Sequence, residues 1–243
     1  MEVYDKIAKT YAEIGVNNIR REFAIDPTFF KLLGEIKNKT VLDLGCGEGD
    51  YTRKISRLGA SKVVGMDISK EMIELAEAEE KLHPLGITYF VSDVIELPFL
   101  EEFDIVTAGM LLHYSKTKEE LLAMCKNIYK NLKKGGRFIT MNNNPNIEGN
   151  SNLKKYGEIC TATIPVMEGS EILIHFYKEG KEVQFVNYYW SIKIYEWALQ
   201  EAGFTQIEWH NLEISKEGIE KFEKGFWDEF LSKPIIIGLT CKK

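Results

Sequence analysis

No stretch of the chain approaches the roughly 18 consecutive apolar residues of a membrane span, so no membrane partner is expected. The first residues, MEVYDKIAKTYAEIGV, carry charges throughout and lack an apolar centre, which argues against a secretory signal there. Cysteine is sparse. Cys46, Cys125, Cys160 and Cys241 form no C-x-x-C pair and have no histidine nearby at zinc spacing. No metal site is expected, and buried thiols in a reducing, cytoplasmic setting are the simplest reading. Basic charge is in deficit, with 31 Lys and Arg against 37 Asp and Glu, a net charge of −6. Counterion-release binding needs clustered Lys and Arg, so a nucleic-acid partner is not expected. Internal repeats and low-complexity tracts are missing too.

What remains is ordinary globular composition: 243 residues, 44% hydrophobic and 28% charged, enough for one sizeable core. Residues 1–36 read as an N-terminal helical cap, with Ile7, Tyr11, Ile14 and Ile19 on an interrupted apolar stripe. Asp26-Pro27 reads as the cap and first turn of a helix carrying Phe29, Phe30, Leu32 and Leu33. From residue 37 to 143, strand and helix alternate five times. The strands fall at 40–44, 63–67, 87–91, 103–108 and 137–141. Helices are expected over 50–58 (capped by Asp50), from Ser69 through Lys81, and from a Thr117/Glu120 capping box to Gly135-Gly136. This is the pattern of an α/β doubly wound, mostly parallel sheet. After a polar loop at 142–153, three β stretches at 159–165, 171–177 and 182–190 read as an antiparallel insertion, a lid over 150–190. Residues 191–243 complete the sheet through a helix at 192–201, a strand near 205–211, a helix near 216–232 and a last strand, Pro234–Cys241. One domain over 1–243 fits better than two.

The informative segment is Asp43-Leu44-Gly45-Cys46-Gly47-Glu48-Gly49, with Asp67 closing the next strand. Glycines allow a tight strand-to-helix turn and close approach of a ligand to the backbone. An acid about 20 residues on can accept ribose hydroxyls. A dinucleotide and S-adenosylmethionine both suit such a loop. Asp43, Glu48 and Asp50 repel a pyrophosphate and suit an ammonium and a sulfonium. Asp43, Asp67 and Asp93 each stand at the carboxyl end of a strand, where ligands of open α/β sheets bind.

On the run V-L-D-L-G-C-G-E-G and these acids, the chain resembles the class I, seven-stranded Rossmann-like S-adenosylmethionine-dependent methyltransferases. The resemblance covers about residues 37–143 and the closing strands. It implies a seven-stranded sheet whose last strand runs antiparallel. It also implies that Asp43, Leu44, Gly45, Cys46, Gly47 and Gly49 hold the methionine part and Asp67 the ribose. Ile68 and Met72 would pack on the adenine, with Asp93 and Val94 near its amino group. Ala108, Gly109 and Met110 would line the methionine tail. S-adenosylhomocysteine would be the product. A narrower similarity rests on Tyr4-Asp5-x-Ile7-Ala8-x-x-Tyr11, Pro84-Leu85-Gly86-Ile87 and Phe226-Trp227…Phe230…Pro234. It points to small-molecule N-methyltransferases of the toxoflavin-pathway kind.

Methyl transfer from a sulfonium needs little beyond in-line placement of the nucleophile about 3 Å away. Candidate catalytic residues are therefore few: His113 as a general base, and Tyr4. Tyr11, His113, Tyr114, Asn142, Tyr188 and Trp190 are candidates for contacting the substrate, expected to be a small, flat molecule methylated at nitrogen or, less favoured, oxygen. His175 reads as a lid residue of unassigned role, and His83 and His210 as structural. Two rival readings are a nicotinamide-dependent oxidoreductase and a non-catalytic protein that binds the donor. Nothing in the residues fixes an oligomeric state.

Overall fold

Runs such as Val41-Leu42 and Ile105-Val106 are apolar at every position, so they must bury both faces, and parallel strands covered by helices meet that need. In the computed structural model the described residues are 18–147, 149–178 and 180–243. Tyr4, Tyr11 and most of the expected N-terminal helical cap lie outside them.

The strands in chain order are β1 (Thr40–Leu44), β2 (Lys62–Asp67), β3 (Thr88–Val91), β4 (Phe103–Gly109), β5 (Leu132–Asn143), β6 (Ser151–Leu153), β7 (Glu158–Ala162), β8 (Glu171–Lys178), β9 (Lys181–Tyr188), β10 (Thr205–His210) and β11 (Ile236–Lys242). Seven form one sheet in the order β10-β11-β5-β4-β1-β2-β3. The register places Asp43 beside Gly65 of β2 and Thr107 of β4. β11 enters antiparallel between β5 and β10, as the resemblance implies. β6 to β9 make a separate antiparallel sheet, one strand more than the three β stretches expected.

The α-helices are α1 (Asp26–Leu33), α2 (Asp50–Arg57), α3 (Lys70–Leu82), α4 (Lys118–Lys130), α5 (Ile192–Ala202), α6 (Lys216–Lys221) and α7 (Asp228–Ser232). Phe29, Ile55 and Ile73 of α1 to α3 join one apolar cluster with Ile172, Ile174 and Phe185 of the second sheet. Leu121 and Ile128 of α4 and Tyr195 and Leu199 of α5 fill a second cluster. Each such side chain contributes about 1.5–3 kcal/mol through burial.

Four local expectations need correction. Asp26 does not cap a helix. A π-turn, Arg21–Ile25, runs straight into α1, and the Asp26 N–H donates to the Arg21 carbonyl five residues back. Pro27 has no N–H to give and its ring crowds the preceding turn, and the wider turn accommodates both. Asp50 is not a side-chain cap either: Gly49 in the left-handed region starts α2, and Asp50 lies in its first turn. Gly135-Gly136 does not end α4, which stops at Lys130 with Asn131 as its C-cap, so that the glycines fall within β5. A Cβ on Gly136 would meet the Lys133 carbonyl at 2.8 Å, so that close turn of chain requires glycine. The helix expected at 216–232 breaks into α6 and α7 around Gly225, where Phe222 stacks on Phe226 at 4.2 Å. Trp227 donates there to the Gly218 carbonyl, and aromatic burial outweighs one continuous helix. The Ser69 cap of α3 and the Thr117 cap of α4 form as expected, though Glu120 accepts from Lys116 N–H instead of Thr117.

Candidate functional site

The glycine loop joins β1 to α2 at the carboxyl ends of the parallel strands. Gly45, Gly47 and Gly49 have φ of 64°, 55° and 82°, values that only glycine adopts without strain. At Gly49 a Cβ would also lie 2.5 Å from the Tyr89 hydroxyl, whereas at Gly47 the nearest atom would be 4.0 Å away. The loop is thus tight on the protein side and open on the other. Asp67 holds it from behind: its carboxylate accepts the Gly47 N–H and the Ser69 N–H, both at 2.9 Å.

Asp43 is buried beneath the loop and accepts the hydroxyls of Thr52 (2.7 Å) and Thr107 (2.8 Å). Burial pushes its carboxyl up to about 6, against the pull of those two hydrogen bonds, with Asp67 and Asp50 adding like-charge repulsion. Burial also raises Asp50, but Arg21 and Lys54 more than offset it and hold its carboxyl below the usual range. Arg21 bonds Asp50 at 2.6 Å and lies over the Tyr51 ring, whose hydroxyl donates to Asp26 at 2.5 Å.

Beyond the loop a pocket opens toward the second sheet. Among the described residues, Asp43, Gly45, Cys46, Gly47, Glu48, Gly109, Met110, His113 and Tyr114 line it, together with Ile174, Phe176, Phe185 and Asn187 of the second sheet. Arg20 and Glu158 close one end as a buried ion pair. Burial raises the Glu158 carboxyl even though Arg20 opposes it, and Arg20 also lies 4.7 Å from the Phe176 ring centre. The Asn143 N–H donates to His113 Nδ1 at 3.2 Å, which leaves the ring proton on Nε2. Burial pulls the His113 pKa down to about 3, so the ring is neutral at working pH and its free nitrogen is a donor.

Of the residues assigned to the methionine end, Asp43, Gly45, Cys46, Gly47, Gly109 and Met110 line this pocket, while Leu44 and Ala108 pack in the core. Asp67, Ile68, Met72, Asp93 and Val94 lie outside it, at the neighbouring ends of β2 and β3. Asp93 caps a short turn by accepting the Ile95 N–H, and Met72 and Val94 are buried. Three assignments to the substrate need correction. Asn142 faces away, its amide donating to Thr140, because strand alternation points Asn143 at the pocket instead. Trp190 packs in the second cluster and donates to the Ser115 carbonyl at 3.0 Å. Tyr188 pairs with Glu171 and does not line the pocket. His175 points to the other face of β8 and bonds Glu182.

Arg20, Glu158 and Asn187 were not among the expected site residues, and Asn143 belongs to the amide run 142–144, which the sequence marks as able to hydrogen-bond a polar heterocycle. Two of them left a readable signal. Glu158 shares its alternate positions with Cys160 and Ala162, and Asn187 with Val183 and Phe185. A polar residue in an apolar alternation marks a buried polar site.

A glycine turn at strand ends, a buried acid beneath it and a pocket beyond it define a Rossmann-like ligand-binding domain. A family model described as a methyltransferase domain matches residues 41–136. An uncharacterized protein of Haemophilus influenzae is 30% identical over 191 residues, 74% of this chain and 72% of that one. The ubiquinone/menaquinone biosynthesis C-methyltransferase UbiE of Klebsiella pneumoniae is 29% identical over 226 residues, 87% of this chain and 81% of its own. An S-adenosylmethionine-dependent methyltransferase structure from Mesorhizobium loti superposes with a TM-score of 0.66 at 21% identity, covering 89% of this chain and 96% of that one. The chain belongs to the class I S-adenosylmethionine-dependent methyltransferases.

The residues present fit S-adenosylmethionine. Gly47 leaves space on its outer side, and Asp43 and Glu48 offer carboxylates to a ligand that carries an ammonium and a sulfonium. When bound, the cofactor supplies an electrophilic methyl group. The residues that would hold it are those of the glycine loop, with the carboxylates of Asp43 and Glu48 facing the same pocket.

Proposed function

We propose that the acceptor is a small, flat aromatic or heteroaromatic molecule, methylated at nitrogen or oxygen inside this pocket. The observation that carries the reading is the composition of the pocket wall opposite the glycine loop. Ile174, Phe176 and Phe185 offer an apolar wall, its two rings meeting edge to face at 5.0 Å, and Asn143, Asn187 and Arg20 a polar edge beside it. Aromatic walls with a few convergent polar groups suit a planar ring. No base is needed for an acceptor that enters as its anion. Nucleic acid is not the expected acceptor, since the chain carries a net charge of −6. No helix among the described residues is long and apolar enough to cross a membrane.

The test is methyl transfer from isotope-labelled S-adenosylmethionine to a panel of N-heterocycles, phenols and reduced naphthoquinones, with the product's methyl located by NMR. Label on a ring nitrogen or oxygen supports the proposal. Label found only in protein or nucleic acid contradicts it. The relative from Klebsiella, whose name gives C-methylation in quinone biosynthesis, favours a second reading: transfer to a ring carbon of a reduced quinone. The same NMR spectrum separates the two.

A further inference from the structure

The amides of Asn143 and Asn187 sit in the pocket with one hydrogen bond between them, Asn187 Nδ2 donating to Asn143 Oδ1 at 3.2 Å. Both residues are buried, at 6% and 2% exposure. Asn143 Nδ2 and Asn187 Oδ1 have no partner among the described residues. Turning both amides over leaves the same count, because a pair that shares one bond always retains one N–H group and one carbonyl. Native interiors rarely leave such groups unpaired, and each unmet one is costly. They are oriented by neighbours that cannot easily give way. The Asn143 backbone is fixed by β5 and by His113, and Asn187 by its pairing with Ile172 in the second sheet. Arg20 Nε is likewise buried without a partner, and His113 presents its Nε2–H. The polar end of the pocket therefore offers several donors and, on Asn187, a carbonyl without a partner.

We propose that the acceptor molecule carries a lactam-type edge, a ring carbonyl next to an N–H, which Asn143 and Asn187 read together. The carbonyl takes the Asn143 donor and the N–H gives to the Asn187 carbonyl. A ring that offers only carbonyls leaves the Asn187 oxygen unmet, and a hydrocarbon ring leaves both groups unmet. This inference rests on the pocket being the acceptor site, as proposed above, and names the edge by which that site selects its ligand.

The experiment uses the full chain saturated with S-adenosylhomocysteine and measures binding of 2-quinolinone, N-methyl-2-quinolinone and 1,4-naphthoquinone by calorimetry. We expect 2-quinolinone to bind about tenfold tighter than either other ring, or more, since each of those leaves a buried group unpaired. Asn143→Asp keeps an oxygen for the Asn187 amide and removes the donor, and it should reduce the preference to less than about threefold. Should that variant lose S-adenosylhomocysteine binding, Asn187→Ser is the second variant, with the same loss of preference expected. Equal binding of all three rings to the wild type overturns the lactam edge and leaves the planar-acceptor reading standing. Tighter binding of the quinone overturns the edge in favour of the quinone reading. S-adenosylhomocysteine binding with no binding of any ring overturns both.

Discussion

Asp43 shows what a single residue contributes to this site and what it costs. Its carboxyl is buried under the glycine loop and titrates at about 6. The folded state therefore holds this proton more tightly than the unfolded chain does. The sign follows directly: stability from this group is greatest at low pH and is lost as pH rises from about 4 to about 6. The shift corresponds to about 3 kcal/mol. Denaturant unfolding of wild type and Asp43→Asn from pH 4 to pH 7 tests it. The wild type should lose about 3 kcal/mol relative to the variant over that range, whereas parallel curves would contradict the assignment. His113 carries the opposite lesson. A neutral ring whose Nδ1 already accepts an N–H has no basicity near neutrality. The kcat profile between pH 5 and 9 should lack a histidine limb. A limb near 6.5 that disappears in His113→Gln would restore it as a base. The glycine loop and its acids were legible residue by residue because their spacing is local. Within the amide run 142–144 the sequence does not declare which residue faces inward, and strand alternation selects Asn143 over Asn142.

At the scale of elements, most strands could be read directly, because parallel strands buried on both faces leave unbroken apolar runs. Where reading failed, tertiary packing outweighed local propensity. Pro27 does stand in the first turn of α1, but a π-turn replaces the expected Asp26 cap before it, and the aromatic residues at 222–227 gain more from meeting one another than from continuing a helix. Two predictions belong here. Gly49→Ala should destabilise the fold by more than the roughly 1 kcal/mol typical of a point change, because it adds a positive-φ strain to a Cβ 2.5 Å from the Tyr89 hydroxyl. Pairing it with Tyr89→Phe should recover only part of the loss in urea unfolding. The buried pair Arg20–Glu158 joins the turn before α1 to β7. Glu158→Ala leaves an uncompensated guanidinium and should cost about 3–5 kcal/mol. Arg20→Met with Glu158→Leu should cost much less. Equal losses in the single and double variants would show that the pair acts through packing alone. Such contacts, 138 residues apart in sequence, leave no local signal.

At the scale of the whole molecule, the account rests on a single placement. The ends of the parallel strands present a glycine turn ringed by carboxylates, and the second sheet closes a pocket above it. That arrangement suits a cationic methyl donor on the glycine turn. The expected architecture followed from strand and helix alternation, while the pocket's far wall depended on how two sheets meet, which alternation alone does not specify. The most direct test is a thermal-unfolding comparison of the full chain with S-adenosylmethionine, S-adenosylhomocysteine and NAD(H). A ligand at 100 times its Kd adds about 2.7 kcal/mol, a midpoint rise on the order of 5–10 °C for a chain of this size. The account predicts that rise with the two adenosyl ligands and none with NAD(H), and a rise with NAD(H) alone would contradict it.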